Sequence, residues 1–190
     1  MIVAFDASVL VYIVTSDAKA PVDLATGQVV SRCKERVDYL ITKLQQDRAK
    51  IIVPTPSLAE VLVHAEQAGP EFLRIIGSSR HFRIVAFDER AAVEFAARQA
   101  ERKAAGVKSS APTRAKAKFD DQIVSIAAVE SATVIYSDDP DIKKLAGSRF
   151  EVIGIAALPL PPERPAPPLL SLMNHTAVDE KPTPQDDKAS

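Results

Sequence analysis

The chain has 190 residues, a net charge of −1 and a pI near 6.3, with 46% hydrophobic and 26% charged residues. This length suits one well-buried domain, and the near-neutral charge excludes a globally basic nucleic-acid-binding protein, so any such contact needs a local basic patch. Cys33 is the only cysteine, which excludes an internal disulfide and fits a reducing compartment. No apolar run approaches the roughly 20 residues of a membrane span, and the N-terminus lacks the basic segment of a secretory signal. We therefore expect a cytoplasmic protein without membrane contact.

The first part of the chain places an acid directly after an apolar strand. Ile2–Phe5 is fully apolar, as expected of a central parallel strand that is buried on both faces. Asp6 follows at once and Ser8 two residues later, where either side chain could simply cap the next helix. A polar loop over residues 15–27 and an amphipathic helix over residues 29–48 come next.

A second acid follows the next predicted strand, which covers residues 50–53. Pro54 ends that strand, and the next helix begins with a proline in its first turn, at Pro56. Glu60 lies on this helix among apolar residues. Its carboxylate therefore either turns to solvent or needs a compensating partner.

The middle of the chain ends in a basic segment. The pattern predicts a short helix over residues 71–76, a third strand over residues 82–87 and a long helix over residues 89–105, for which Asp88 is a sufficient N-cap. A Gly- and Ser-containing loop then leads to Asp120, and it is either solvated or a surface that attracts phosphate. The basic residues expected in this loop are Lys103, Lys108, Arg114, Lys116 and Lys118.

The stretch from Lys116 to Ile142 brings most of the candidate acids together. Asp120 and Asp121 open a helix of small and apolar residues, and residues 133–136 form a buried strand. An acidic loop over residues 137–141 follows the strand and contains Asp138, Asp139 and Asp141. A short helix and a last strand then complete the predicted domain.

Strands that alternate with helices predict an α/β fold of three layers, with a central parallel sheet of four to five strands flanked by helices. We expect this domain to cover residues 1–157. Residues 158–190 are rich in proline and polar residues and are expected to form a flexible, disordered tail.

Four carboxylates are predicted to meet at one edge of the sheet. Ligands bind an open parallel sheet outside the carboxyl ends of its strands, and Asp6, Glu60, Asp121 and Asp139 all lie near such ends. Carboxylates gathered there repel one another unless a cation holds them. Hard oxygen ligands suit Mg²⁺ or Mn²⁺, and zinc is excluded because no Cys or His cluster accompanies them. Dinucleotide, NTP and serine-hydrolase functions lack their sequence motifs altogether.

Residues 1–155 resemble PIN-domain proteins, the fold of VapC-type toxins and other metal-dependent ribonucleases. The resemblance is carried, in this order, by VAFDASVLVY, PTPSLAEVL, FDDQIVSIAAVESA and VIYSDDPDI. It implies that Asp6, Glu60, Asp121 and Asp139 form the acidic quartet that binds metal and performs catalysis.

The register of two of these acids has alternatives. Asp121 fits the start of the family's helix better than Asp120, whereas Asp138 and Asp141 are close enough to Asp139 to replace it. Residues that support the ligands through hydrogen bonds or caps are well known around metal sites. Those expected to do so here are Ser8, Asp120, Ser137, Asp138 and Asp141.

The resemblance implies an endoribonuclease that is the toxin of a type II toxin–antitoxin system. One or two Mg²⁺ or Mn²⁺ ions would activate a water that attacks the phosphodiester of single-stranded or structured RNA. The implied partners are the RNA, an antitoxin protein and a second copy of the chain in a homodimer. The RNA backbone would be held by Lys108, Arg114, Lys116 and Lys118.

Two alternatives belong to other functional classes. One is a non-catalytic PIN-like module that binds RNA or protein, with the proline-rich segment as a docking element. The other is a phosphatase-like or receiver-like domain that uses Asp6 with Mg²⁺. This second alternative is weaker, because the accompanying acids and lysine of those families are missing from the sequence.

Overall fold

The structure, a computed structural model, describes residues 1–15, 18–23, 25–106 and 113–162. Its strands and helices alternate along most of the chain, and two short 3₁₀ helices cover Glu66–Ala68 and Ile155–Ala157. The remaining elements, in chain order, are β1 (Ile2–Phe5), α1 (Ala7–Val14), α2 (Cys33–Gln46), β2 (Lys50–Pro54), α3 (Thr55–Ala65), α4 (Gly69–Ser78), β3 (Phe82–Val85), α5 (Glu89–Ala104), α6 (Arg114–Val129), β4 (Val134–Tyr136), α7 (Pro140–Ala146) and β5 (Glu151–Ile153).

The five strands form one parallel sheet in the order β3-β2-β1-β4-β5. This confirms the predicted α/β fold with a parallel sheet flanked by helices. In the register, Ala4 of the central strand lies opposite Ile52 on one side and Ile135 on the other. Because the chain moves outward from β1 to β3 and then returns to β4, the strand order reverses between β1 and β4. Open α/β sheets bind ligands at such a reversal.

Two hydrophobic cores cover the two faces of the sheet. Successive strand residues point to opposite faces, so Val3 and Phe5 of β1 pack with α1, α2, α3 and α4, while Ala4 packs with α5, α6 and α7. Full burial of a large apolar side chain contributes about 1.5–3 kcal/mol. The apolar runs of the sequence thus account for a three-layer arrangement with the sheet in the middle. None of the described helices is both long and apolar enough to cross a membrane.

Two helices begin more than two residues away from their predicted N-termini. The helix expected from residue 29 begins at Cys33, because Val29 instead forms an antiparallel bridge with Val22. The helix expected to open at Asp120 begins six residues earlier, at Arg114. The Thr113 side chain accepts a hydrogen bond from the Lys116 backbone N–H, an N-cap that starts the helix early. Lys116 and Lys118 therefore lie on a helix rather than in a loop.

Ordered packing extends past β5. Ile155 and Leu158 are buried in the core that contains α1 and α2, and the Leu158 carbonyl accepts a hydrogen bond from the Arg36 guanidinium. The predicted flexible tail over residues 158–190 lies, from residue 163 onward, outside the described residues. The described fold therefore reaches at least residue 158.

Candidate functional site

The carboxyl ends of the adjacent strands β2, β1 and β4 open into one cleft with a volume of about 1070 Å³. Helices α1, α3 and α6 contribute side chains to its walls. Acids line it from four segments of the chain, and apolar side chains such as Val63 and Phe119 stand near them. The acidic residues that line the cleft are Asp6, Glu60, Asp120, Asp138 and Asp139.

Asp6 lies at the centre of this edge, directly after β1, and is buried. Its Oδ2 accepts hydrogen bonds from the hydroxyls of Ser8 at 3.0 Å and Ser137 at 2.8 Å. Its Oδ1 accepts one from the Ser57 hydroxyl at 3.3 Å. The three serines follow β1, β4 and β2, so the parallel register brings donors from three strand ends to one carboxylate. This side chain is held in place and does not cap α1, because it makes no cap hydrogen bond.

A second group of carboxylates lies where α6 meets the start of α7. Oxygen atoms of Asp120, Asp139 and Asp141 lie within 4.8 Å of one another. Asp139 caps α7, accepting a hydrogen bond at Oδ1 from the Asp141 backbone N–H at 2.7 Å, and its own N–H donates to the Ser137 hydroxyl. Carboxylate oxygens at this spacing fit a hard divalent cation such as Mg²⁺ or Mn²⁺.

Lys116 supplies a positive charge to the same three acids. Its Nζ lies 2.6 Å from Asp139 Oδ2, 2.9 Å from Asp120 Oδ2 and 3.4 Å from Asp141 Oδ2. Partial burial opposes the ammonium charge, but the hydrogen bonds and charges of Asp139 and Asp120 outweigh it, so the pKa of Lys116 is raised. Burial, with the like charges of Asp139 and Asp6, raises the pKa of Asp120 although Lys116 opposes this shift.

Asp121 is not part of the cleft, which corrects the predicted quartet. Its side chain is fully buried against α5, where Oδ1 accepts from Arg98 Nε at 3.3 Å and Arg102 Nη1 at 3.1 Å. Its Oδ2 accepts from Gln99 Nε2 at 2.6 Å and from Arg102 Nη2. Neighbouring residues on an α-helix point about 100° apart, so only one of the two aspartates can face the cleft. That residue is Asp120.

Asp138 lines the cleft but turns toward the segment after β5. Its Oδ1 accepts a hydrogen bond from the Ile155 backbone N–H at 2.9 Å, and burial raises the pKa of its carboxyl group. A Cβ at Gly154 would lie 2.6 Å from this oxygen, so only glycine allows the approach. The Asp138 N–H in turn donates to the Ser8 hydroxyl. Asp138 therefore connects β4 to the C-terminal end of the fold and is not in the three-carboxylate group.

Of the four side chains predicted to hold RNA, the structure describes those of Lys116 and Lys118. Lys108 lies outside the described residues, as does the side chain of Arg114, whose backbone begins α6. Lys118 is exposed on α6 beside Phe119. Lys116 pairs with Asp120, Asp139 and Asp141 instead of extending into solvent.

The sequence motifs missed several partners of the acids. Ser57 is not among the residues predicted to support the ligands, although its place directly after β2 makes it comparable to Ser8 and Ser137. Lys116 precedes Asp120 by four residues, a spacing that joins side chains on one helix face and is visible in the sequence. Arg98 and Arg102 share a face of α5 in the same way, but nothing local to that helix indicates a contact with Asp121.

Glu60 lies on α3 at the rim of the cleft. Its side chain keeps access to solvent, yet neighbouring atoms partly desolvate the carboxyl group, and the negative charge of Asp6 adds to this effect. The pKa of Glu60 is therefore raised, with His64 and Lys116 opposing the shift. The sequence left two alternatives for Glu60, a side chain turned to solvent or one with a compensating partner. In the structure the side chain is exposed at the rim of the cleft and is also near other charges.

Glu60→Gln is expected to stabilise the metal-free protein at neutral pH. The pKa of Glu60 is higher in the native state than in the unfolded chain, which loses this proton above about pH 4. The native state therefore loses stability relative to the unfolded state as the pH rises from there through the folded pKa. Thermal unfolding in EDTA should give a melting temperature about 1–3 °C above wild type at pH 7. At about pH 3.5 the two proteins should melt together, since both states are then protonated. A lower melting temperature for the variant at pH 7 would contradict the inferred destabilising effect of the Glu60 charge.

No protein-family model matches this sequence, and comparison with curated proteins finds no relative. Among solved structures, the chain is similar to one in VapBC2 from Rickettsia felis bound to a DNA fragment from their promoter, with a TM-score of 0.55 and 16% identity over 81% of this chain and 98% of that one. It is similar to one in FitAcB from Neisseria gonorrhoeae, with a TM-score of 0.53 and 17% identity over 82% of this chain and 99% of that one. A chain of DNA-bound VapBC from Salmonella typhimurium gives a TM-score of 0.53 and 13% identity, covering 82% and 98%.

These identities establish a shared fold and nothing finer. The described fold, an α/β arrangement with five parallel strands, matches the PIN-like fold that the sequence motifs predicted.

Proposed function

We propose that this chain is a divalent-metal-dependent endoribonuclease, with Asp6, Glu60, Asp120 and Asp139 as its acidic site. The observation that carries the proposal is the meeting of these acids at the carboxyl edge of a PIN-like parallel sheet, beside the reversal of strand order. The donor set consists of carboxylates, which suits Mg²⁺ or Mn²⁺. A buried and immobilised carboxylate at Asp6 adds a ligand whose position is already fixed.

The side chains of the cleft have separate functions in this proposal. When bound, a divalent cation would supply a Lewis acid for the phosphodiester and lower the pKa of its bound water. Asp120 and Asp139, with Asp141 beside them, would hold the ion, and the hydroxyls around Asp6 keep that carboxylate aimed at the cleft. The raised pKa of Glu60 makes this residue suited to accept a proton at the rim.

Single-stranded RNA is the substrate class that fits the walls best. Phe119 is 55% exposed, precedes Asp120 and lines the cleft, so it provides a face on which an unpaired base can stack. Lys118 is exposed beside it and is proposed to contact the backbone phosphate. Lys108 and the Arg114 side chain remain proposed contacts of the same kind.

The biological role that we propose is the toxin of a toxin–antitoxin pair, with an antitoxin and a second copy of the chain as protein partners. The fold shared with chains of VapBC complexes supports this role. Growth arrest on expression of the chain, relieved by a co-expressed neighbouring gene product, would test the antitoxin, and light scattering would test the homodimer. Normal growth and a monomeric mass would count against the two partners.

A non-catalytic RNA- or protein-binding module is the second candidate, and one observation favours it. Lys116 neutralises part of the acidic group without a metal ion. A binding module needs only a stable surface, and the lysine here already compensates part of the negative charge of the acids. The two candidates differ in whether the acids are required to cut RNA.

The test is metal-dependent cleavage of end-labelled single-stranded RNA. We expect the purified chain to cut it with Mn²⁺ or Mg²⁺, and to stop when EDTA removes the metal. Asp120→Asn should reduce cleavage at least about 100-fold, since a proposed ligand is lost and even supporting residues around metals account for 10- to 100-fold. A wild type that binds the RNA but leaves it intact with either metal would favour the binding module.

A further inference from the structure

The Lys116 ammonium lies between the carboxylates that are proposed to hold the metal. Three acceptor oxygens, one each from Asp120, Asp139 and Asp141, surround its Nζ at 2.6 to 3.4 Å. The same three residues have carboxylate oxygens within 4.8 Å of one another. An ammonium has three N–H donors, so this group of acids can satisfy all of them.

We propose that Lys116 is a resident counterion of the acidic site, which a divalent cation must displace in order to bind. This inference rests on the proposed function, because it assumes that Asp120 and Asp139 hold the cation. Lys116 would thereby set the metal concentration above which the site is loaded, and it would keep the acids in place when metal is scarce. The lysine is thus a regulatory group built into the helix that carries Asp120.

The fold places Lys116 there by two independent features. The Thr113 cap starts α6 early, so Lys116 is already helical and lies one turn before Asp120, on the same face. Asp139 reaches the same point from the start of α7, on a different element. A charged pair within one helix would explain the contact with Asp120 alone, whereas the contact with Asp139 depends on the packing of α7 against α6.

Other cations near the site are differently engaged. Arg98 and Arg102 are bound to Asp121 on the side of α6 that faces α5. Lys144 lies 3.7 Å from Asp141, and its side chain is 63% exposed. The Lys116 side chain is only 36% exposed. The ammonium that links α6 to α7 through these acids is therefore that of Lys116.

Ammonium and divalent ion compete for the same negative charge. Mg²⁺ binds its oxygen ligands at 2.0–2.1 Å with near-octahedral geometry, while Oδ2 of both Asp120 and Asp139 now accepts a hydrogen bond from Lys116. A second cation in the group would also repel the ammonium at close range. Because such coupling is reciprocal, the interaction of Lys116 with the acids weakens metal binding by the same factor by which a bound metal weakens that interaction.

The test compares Mn²⁺ binding by calorimetry in wild type, Lys116→Met and Lys118→Met. Methionine keeps the length of the side chain without its charge, and Lys118 is the matched control because it is exposed on the same helix. We expect Lys116→Met to bind Mn²⁺ about tenfold more tightly than wild type, within the usual range of coupling, and Lys118→Met to match wild type. In EDTA, Lys116→Met should melt at a lower temperature, and Mn²⁺ should raise its melting temperature more than that of wild type.

A second measurement uses the unaltered protein. Mn²⁺ should increase acylation of the Lys116 amine by an amine-reactive ester, read by mass spectrometry, while the labelling of Lys118 stays constant. Equal Mn²⁺ affinity in wild type and Lys116→Met, or unchanged labelling of Lys116, would overturn the counterion alone. If neither protein binds Mn²⁺, both the counterion and the proposed metal-dependent function are overturned.

Discussion

Asp121→Asn is expected to lower the free energy of unfolding by about 3 kcal/mol and the melting temperature by about 6–12 °C. The substitution keeps the shape of the side chain but removes the charge that faces Arg98 and Arg102. Asp121 has no exposed surface, and the side chains of Arg98 and Arg102 are only 12% and 25% exposed. Loss of one member of a buried pair leaves the other without compensation, which typically costs 3–5 kcal/mol. We choose the lower end because both arginines retain some contact with water.

The matched control for this prediction is the neighbouring residue. Asp120→Asn should change the free energy of unfolding by less than about 1 kcal/mol, because burial and the negative charges of Asp139 and Asp6 already disfavour its ionised form. Urea-induced unfolding of both variants in EDTA provides the measurement. The assignment of Asp121 to structure and Asp120 to the cleft would fail if the two substitutions destabilised the protein equally, or in the reverse order.

Asp6→Asn is expected to reduce metal-dependent RNA cleavage by about 1,000-fold, equivalent to about 4 kcal/mol in the activation free energy. Asp6 is the buried carboxylate at the centre of the cleft, and three serine hydroxyls hold it. Asparagine fits the same space, and the hydroxyls can rotate to pair with its amide, so the fold should persist. The loss therefore reports the missing negative charge at the site. Single-turnover cleavage of labelled RNA, with circular dichroism to verify folding, measures the effect.

Ser57→Ala is the control that separates charge from orientation at Asp6. It removes the 3.3 Å hydrogen bond to Oδ1 and leaves the carboxylate charged. We expect about a tenfold loss of cleavage, at the low end for groups that orient a metal ligand. If Asp6→Asn kept more than a tenth of wild-type cleavage, the assignment of Asp6 to the catalytic site would be wrong.

Much of the fold was predictable from local patterns. Apolar runs such as Ile2–Phe5 identify buried parallel strands, because a strand covered by helices on both faces has no polar side. The acids that follow β1 and β4 could be expected at one edge, since parallel strands end on the same side of a sheet. The placement of Asp6 and Asp139 in one cleft follows from connectivity alone.

Other features depend on contacts between elements distant in sequence. The rotation of α6 decides between Asp120 and Asp121, and that rotation is set by packing against α5, where Arg98 and Arg102 meet Asp121. No pattern within α6 contains this information, because adjacent aspartates are equivalent until a neighbouring helix takes one of them.

Apolar runs and the alternation of strands with helices are enough to predict the parallel α/β fold, because a strand covered on both faces has no polar side. The acids at its carboxyl edge follow, since parallel strands end on the same side of the sheet. The identity of the acids that face the cleft, and the position of Lys116 among them, are visible only in the packed fold. These outcomes depend on how α5, α6 and α7 pack, and the energies of buried and partly buried charges vary steeply with such placement. The candidate site is therefore a property of the packed helices as much as of the residues that form it.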